Sequence, residues 1–142
     1  MNDTRQVVER ELLTQLQTQE AHLSDESLQV LLQALFLEQA DAIVQRLRLH
    51  LGQYVSGEIK QPPLQCNNDA YQLAQLSEER TLYGLAEVAH AMVSALDRAQ
   101  HPKTEHRPIA LLRGAEEVAR LLHQFAAGFI KSPQQSVLDD LQ

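Results

Sequence analysis

Five separate stretches of this chain repeat apolar side chains at steps of three and four residues, and that period limits its folding choices more than any other feature. From Thr4 to about His22, Val8, Leu12, Leu13 and Leu16 mark one face opposite a face of Glu and Gln. A second stripe runs Leu32, Phe36, Ala40, Ile43, Val44, Leu47 and Leu51. A third carries Tyr71, Leu73, Leu76 and Arg80, and a fourth Leu85, Val88, Ala89, Met92 and Leu96. The fifth is Leu111, Ala115, Val118, Leu122, Phe125 and Phe129. A helix with one apolar stripe can bury it only against another such surface. The expectation is therefore an all-α fold, an antiparallel four-helix bundle of the second to fifth helices with an additional N-terminal helix.

The segments between the stripes carry stop and start signals. In "LSDESL", Ser24 is placed as an N-cap, Asp25 and Glu26 sit in the first turn, and Leu23 and Leu28 can form a hydrophobic staple. The second helix fades between Gly52 and Gly57, and "GEIKQPPLQCNND" predicts a loop of about a dozen residues, with Asn68 or Asp69 capping the third helix. "TLYG" separates the third helix from the fourth, Pro108 starts the fifth, and Ser132-Pro133 ends it. Residues 1–132 read as a single helical-bundle domain, and 133–142 as a flexible tail or the start of a linker.

Composition narrows the function. Twelve Lys and Arg against nineteen Asp and Glu leave a net charge of −7 with no basic run, which excludes phosphate-neutralising contact with nucleic acid. Cys66 is the lone cysteine, placed in a polar loop, and it cannot form an internal disulfide. No uninterrupted apolar run approaches the roughly 20 residues of a membrane span. The charged start "MNDTRQVVERELL" lacks the apolar stretch of a signal peptide, so a cytoplasmic protein without membrane insertion is expected.

The order of elements, with "LLQALFLEQADAIVQRLRLHL" early and "LAEVAHAMVSALD" late, resembles the histidine-phosphotransfer (HPt) domains, especially those of chemotaxis-type histidine kinases. The resemblance covers roughly residues 28 to 130. It implies a helix with a His-x-x-Lys-Gly motif, a short break and a further helix. With "LAEVAH" set on the family pattern, "AYQLAQ" stands where the family has "AHSLKG". Tyr71 then takes the place of the phosphorylated histidine, Ala74 that of the lysine, and Gln75 that of the glycine.

All three functional positions are thus changed. A neutral imidazole is a usable nucleophile near neutral pH, whereas a phenol with an ordinary pKa of about 10 needs a base. Ala74 offers no cation to a transferring phosphoryl group. His22, His50, His90 and His123 all fail the His-x-x-Lys-Gly pattern, and His101 and His106 fall in a proline-bounded loop. His90 matches a histidine of the fourth helix in related kinases that the family pattern does not use as acceptor.

Other chemistry is not spelled out. "HPKTEH" has no standard metal-ligand spacing, and the pairs Glu78-Glu79, Glu116-Glu117 and Asp139-Asp140 read as solvated surface. The chain has no Gly-rich phosphate loop or nucleophile elbow. No catalytic residue, metal or cofactor is expected. The resemblance implies a non-catalytic, HPt-like interaction module in bacterial two-component or chemosensory signalling, such as pilus or surface motility systems. Its protein-binding surface would comprise Tyr71, Ala74, Gln75, Glu78 and Glu79, and its partner would be a response-regulator receiver domain or a chemosensory kinase. On a plainer reading Tyr71 is an amphipathic side chain at the core edge with its hydroxyl in water. The alternative function is a helical adaptor, or an anti-activator or immunity-type regulator, that resembles HPt domains through convergence of four-helix bundles.

Overall fold

The computed structural model describes residues 2–18, 25–101 and 107–142, with side chains in the first segment from Thr4 to Gln15. His22, Leu23 and Ser24, and residues 102–106 of "HPKTEH", lie outside the described residues. Among the described residues six helices follow in order: α1 (Asn2–Thr18), α2 (Asp25–Ser56), α3 (Leu64–Glu79), α4 (Tyr83–Ala99), α5 (Pro108–Ala126) and α6 (Gln135–Leu141). Two compact units divide the chain, Met1–Glu38 and Gln39–Gln142.

The fold is all-α. In the larger unit the second part of α2 joins α3, α4 and α5 in an antiparallel four-helix bundle, and α1 is the additional N-terminal helix. Three of the stripes supply the core, whereas α3 buries Cys66, Ala70, Leu73, Ala74 and Ser77, so that of its expected stripe only Leu73 is buried and Tyr71 is exposed. Ala40, Ile43, Val44, Leu47 and Leu51 of α2 are buried, as are Leu85, Val88, Ala89, Met92 and Leu96 of α4 and Leu111, Ala115, Val118 and Leu122 of α5. Each fully buried Leu or Val side chain contributes about 1.5–3 kcal/mol relative to exposure, so the pattern that sets the helices also supplies the bundle's cohesion. By length and composition alone α2 could cross a membrane, with a mean hydropathy of 1.2 over an 18-residue stretch. Of that stretch 22% is buried, and the buried residues of α2 from Ala40 onward belong to the bundle.

Several boundaries differ from the sequence reading, each for a local reason. α3 begins at Leu64 behind an extended Pro63 (φ −59°, ψ 149°), so Asn68 and Asp69 lie inside the helix and cap nothing. Cys66 is consequently a buried helix residue, and burial, followed by the charge of Asp69, pushes its thiol pKa up to about 12. α5 stops at Ala126 because Gly128 adopts φ +96°, where its N–H bonds the Phe125 carbonyl (2.9 Å) and the Phe129 N–H bonds that of Gln124 (2.8 Å). Phe129 thereby leaves the stripe and is exposed.

Residues 133–142 were expected to trail. They form α6 instead, with Val137, Leu138 and Leu141 buried. Leu141 approaches α5 where Gly114 leaves room: a Cβ there would sit 3.2 Å from Leu141 Cδ1 and 3.1 Å from Met92 Cγ. The pair Glu116-Glu117 is likewise split. Glu117 is buried and accepts from Arg120 Nε and Nη2 (both 2.7 Å) and from the Gln134 backbone N–H (2.6 Å), which ties the start of α6 to α5. The Arg120 bonds hold the Glu117 carboxyl below the usual glutamate range against the opposing effect of burial, with the Gln134 bond adding to the lowering.

Candidate functional site

The candidate site is the outer face of the α3/α4 hairpin. Three residues join these helices, and their geometry fixes the register of the pair. The Thr81 N–H bonds the Glu78 carbonyl (2.9 Å) and the Leu82 N–H that of Ser77 (2.8 Å), with Thr81 in the left-handed region at φ 58°. This closure is normally made by glycine, since a β-branched residue pays a steric cost there. Small residues let the two helices approach. Ala70, Ala74 and Ser77 of α3 and Ala86 and Ala89 of α4 are all buried, and the Ser77 hydroxyl is satisfied by the Leu73 carbonyl at 2.7 Å.

Of the residues expected to form the contact surface, Tyr71, Gln75, Glu78 and Glu79 of α3 are exposed. Tyr71 is 55% accessible, and its hydroxyl oxygen accepts from Gln75 Nε2 at 3.3 Å, one helical turn on. Ala74 stands apart from this set, being completely buried. Being covered, it cannot belong to a contact surface with the other four.

The sequence reading expects neighbours on the fourth helix without naming them. His90 of α4 hydrogen-bonds the Glu78 carboxylate across the hairpin, with both side chains about half exposed. At the far end Asn67 Nδ2 donates to Asp97 Oδ1 (2.9 Å), and Gln100 Nε2 donates to the Pro62 carbonyl (2.7 Å). The face is a polar strip carrying Tyr71, crossed at intervals by α3–α4 hydrogen bonds. Cross-helix pairs leave no signature at three- and four-residue spacing, and only the turn at Thr81 sets which residues meet.

The Tyr71 hydroxyl has a neutral amide, Gln75, as its hydrogen-bond partner, and Ala74, three residues on, is a buried methyl group. Among the described residues, no group of three or more His, Cys, Asp or Glu side chains is placed to hold a metal ion. A second concave feature lies at the end of the bundle, an apolar cleft between Leu82, Leu85, Leu122, Phe125 and Ile130, with Lys131 at its edge.

Comparison with known proteins finds no match to a family model, a curated protein or a solved structure.

Proposed function

We propose that this protein is a non-catalytic interaction module that docks a signalling partner through the outer face of α3 and α4. The observation that carries the reading is the strip of Tyr71, Gln75 and Glu78, aligned one and two turns apart on a rigid hairpin and extended by His90. An exposed tyrosine amid polar groups presents a large, rigid contact area at low entropic cost, a property enriched at protein interfaces. In this proposal the HPt resemblance supplies the partner class, a response-regulator receiver domain or a chemosensory kinase of a cytoplasmic bacterial system. Tyr71, Ala74 and Gln75 stand at the positions of the family's His, Lys and Gly, which supports docking without phosphoryl transfer.

The test is site-specific photocrosslinking in source cells, with the crosslinker placed at Gln75 and, as a control, at the exposed Glu58. Receiver domains or a chemosensory kinase captured only from position 75 support the reading. Capture of proteins unrelated to phosphorelay from position 75 replaces it with the adaptor or anti-activator reading.

A further inference from the structure

The smaller unit, Met1–Glu38, has the composition of a helical hairpin but not the burial of one. Of its described side chains only Phe36 is buried, while Val7, Val8, Leu13 and Val30 are 44–64% exposed. Between α1 and the first part of α2 runs an open groove, with Val8, Leu12 and Leu35 along it and Arg5, Glu9 and Glu38 lining it as well. Val8 and Leu12 are one turn apart, so the apolar lining is a ridge spaced to interlock with another helix.

Charge decides what occupies it. Residues 1–38 hold two basic and seven acidic side chains, a net −5 out of the chain's −7. Arg5 is already committed, with Nη2 3.3 Å from Glu38 and Nε 3.8 Å from Glu9. Elsewhere in the unit Arg10, Glu11, Asp25 and Glu26 are exposed, one basic against three acidic side chains. Two copies pressed together here would bring like charge to like charge, and an anionic lipid surface would be repelled in the same way.

We infer that the groove of the N-terminal unit receives an amphipathic helix from a partner protein, one with an apolar ridge flanked by Lys or Arg. Apolar contact along Val8, Leu12 and Leu35 supplies the affinity, and the acidic surround selects the basic partner and speeds encounter. This surface is separate in sequence from the α3/α4 strip and does not rest on it.

The experiment uses the full chain and two fluorescent helical peptides of roughly five turns. They share one Leu stripe but are flanked by Lys in one and Glu in the other, and binding is read by anisotropy. The Lys peptide is expected to bind at least about tenfold more tightly than the Glu peptide, and to weaken as salt is raised. Val8→Ser and Leu12→Ser should each weaken it several-fold, with circular dichroism and thermal midpoint unchanged because neither side chain is buried. Tyr71→Asp should leave it unaltered, which separates this surface from the α3/α4 face. Equal binding of both peptides, no binding of the Lys peptide, or insensitivity to both groove substitutions overturns the inference. So does a peptide-free dimer that Val8→Ser dissociates, or binding to anionic vesicles.

Discussion

Arg46 of α2 reaches across to Asp69 of α3, with Nη2 3.0 Å from Oδ1 and Nε 3.4 Å from Oδ2. The two ends of this pair are unequal. Asp69 is 1% exposed, whereas the Arg46 side chain is 41% exposed. Gln65 Nε2 adds a third donor to the carboxylate at 3.0 Å.

That asymmetry predicts unequal costs. Arg46→Met strands a buried carboxylate with one neutral donor, and should lower unfolding free energy by about 2–4 kcal/mol. Asp69→Leu with Arg46→Met removes both charges and should cost less than Arg46→Met alone. Urea denaturation of the single and double variants checks this. A double variant less stable than the single would show that packing, not the stranded charge, sets the cost.

Glu117 makes a pH-dependent contribution whose sign follows from its lowered pKa. A carboxyl depressed in the folded state stabilises fully above its unfolded value of about 4.3, and that stabilisation fades as pH falls through the folded value. The excess stability of the wild type over Glu117→Gln should therefore be constant near neutral pH and shrink below about pH 4. Because the same carboxylate holds the Gln134 N–H, Glu117→Gln should also speed amide exchange in α6. A stability difference that stays flat from neutral to acid pH would count against the assignment.

Two helical glycines should respond to alanine in opposite directions. A Cβ at Gly114 meets Met92 Cγ at 3.1 Å and Leu141 Cδ1 at 3.2 Å, whereas at Gly52 nothing lies within 4 Å. Gly52→Ala should stabilise by about 0.5–1 kcal/mol through reduced backbone freedom. Gly114→Ala forgoes that gain and should destabilise by about 1 kcal/mol as α6 is pushed outward. Thermal midpoints report both signs, and stabilisation by Gly114→Ala would mean that α6 packs loosely over α5.

The turn between α3 and α4 gives a further prediction. Thr81 holds φ 58°, a conformation open to glycine at no steric cost. Thr81→Gly should raise stability by about 1 kcal/mol, since strain removed in the native state outweighs added freedom in the unfolded chain. Thr81→Ala should gain much less. Equal gains from both would trace the strain to the side chain rather than to the backbone.

These residues also mark where the sequence ceased to be legible. Stripes were readable because a three- and four-residue period is local, and α2, α4 and α5 bury the side chains it selects from Ala40 to Leu122. Asp69 was misread because an acidic residue before an apolar run looks the same whether it caps a helix or meets an arginine 23 positions away. Glu117 differs from Glu116 only through Arg120 and Gln134, and α6 at seven residues is too short for a period to declare itself. Gly128 was a readable stop signal, outweighed by the apolar Phe129 that follows it. At the candidate site the helical period groups Tyr71, Gln75 and Glu78, but the meeting of Glu78 with His90 depends on the hairpin register.

Ala74 offers the sharpest test of that hairpin. A lysine at this position in an HPt-type arrangement would have to reach solvent, yet Ala74 is wholly buried. Ala74→Lys must drive its stem into packed side chains or part the helices, and overpacking of this kind costs about 1–3 kcal/mol. Tyr71→His and Gln75→Gly change exposed positions, and the glycine alone should cost about 1 kcal/mol of helix propensity. In the triple variant most of the lost stability should therefore track Ala74→Lys, and restoring Ala74 alone should recover it. If Ala74→Lys instead proves neutral, with chemical shifts of Ala86 and Ala89 unmoved, the lysine has found a path to the surface. The strip would then be able to carry the cation that phosphoryl transfer requires.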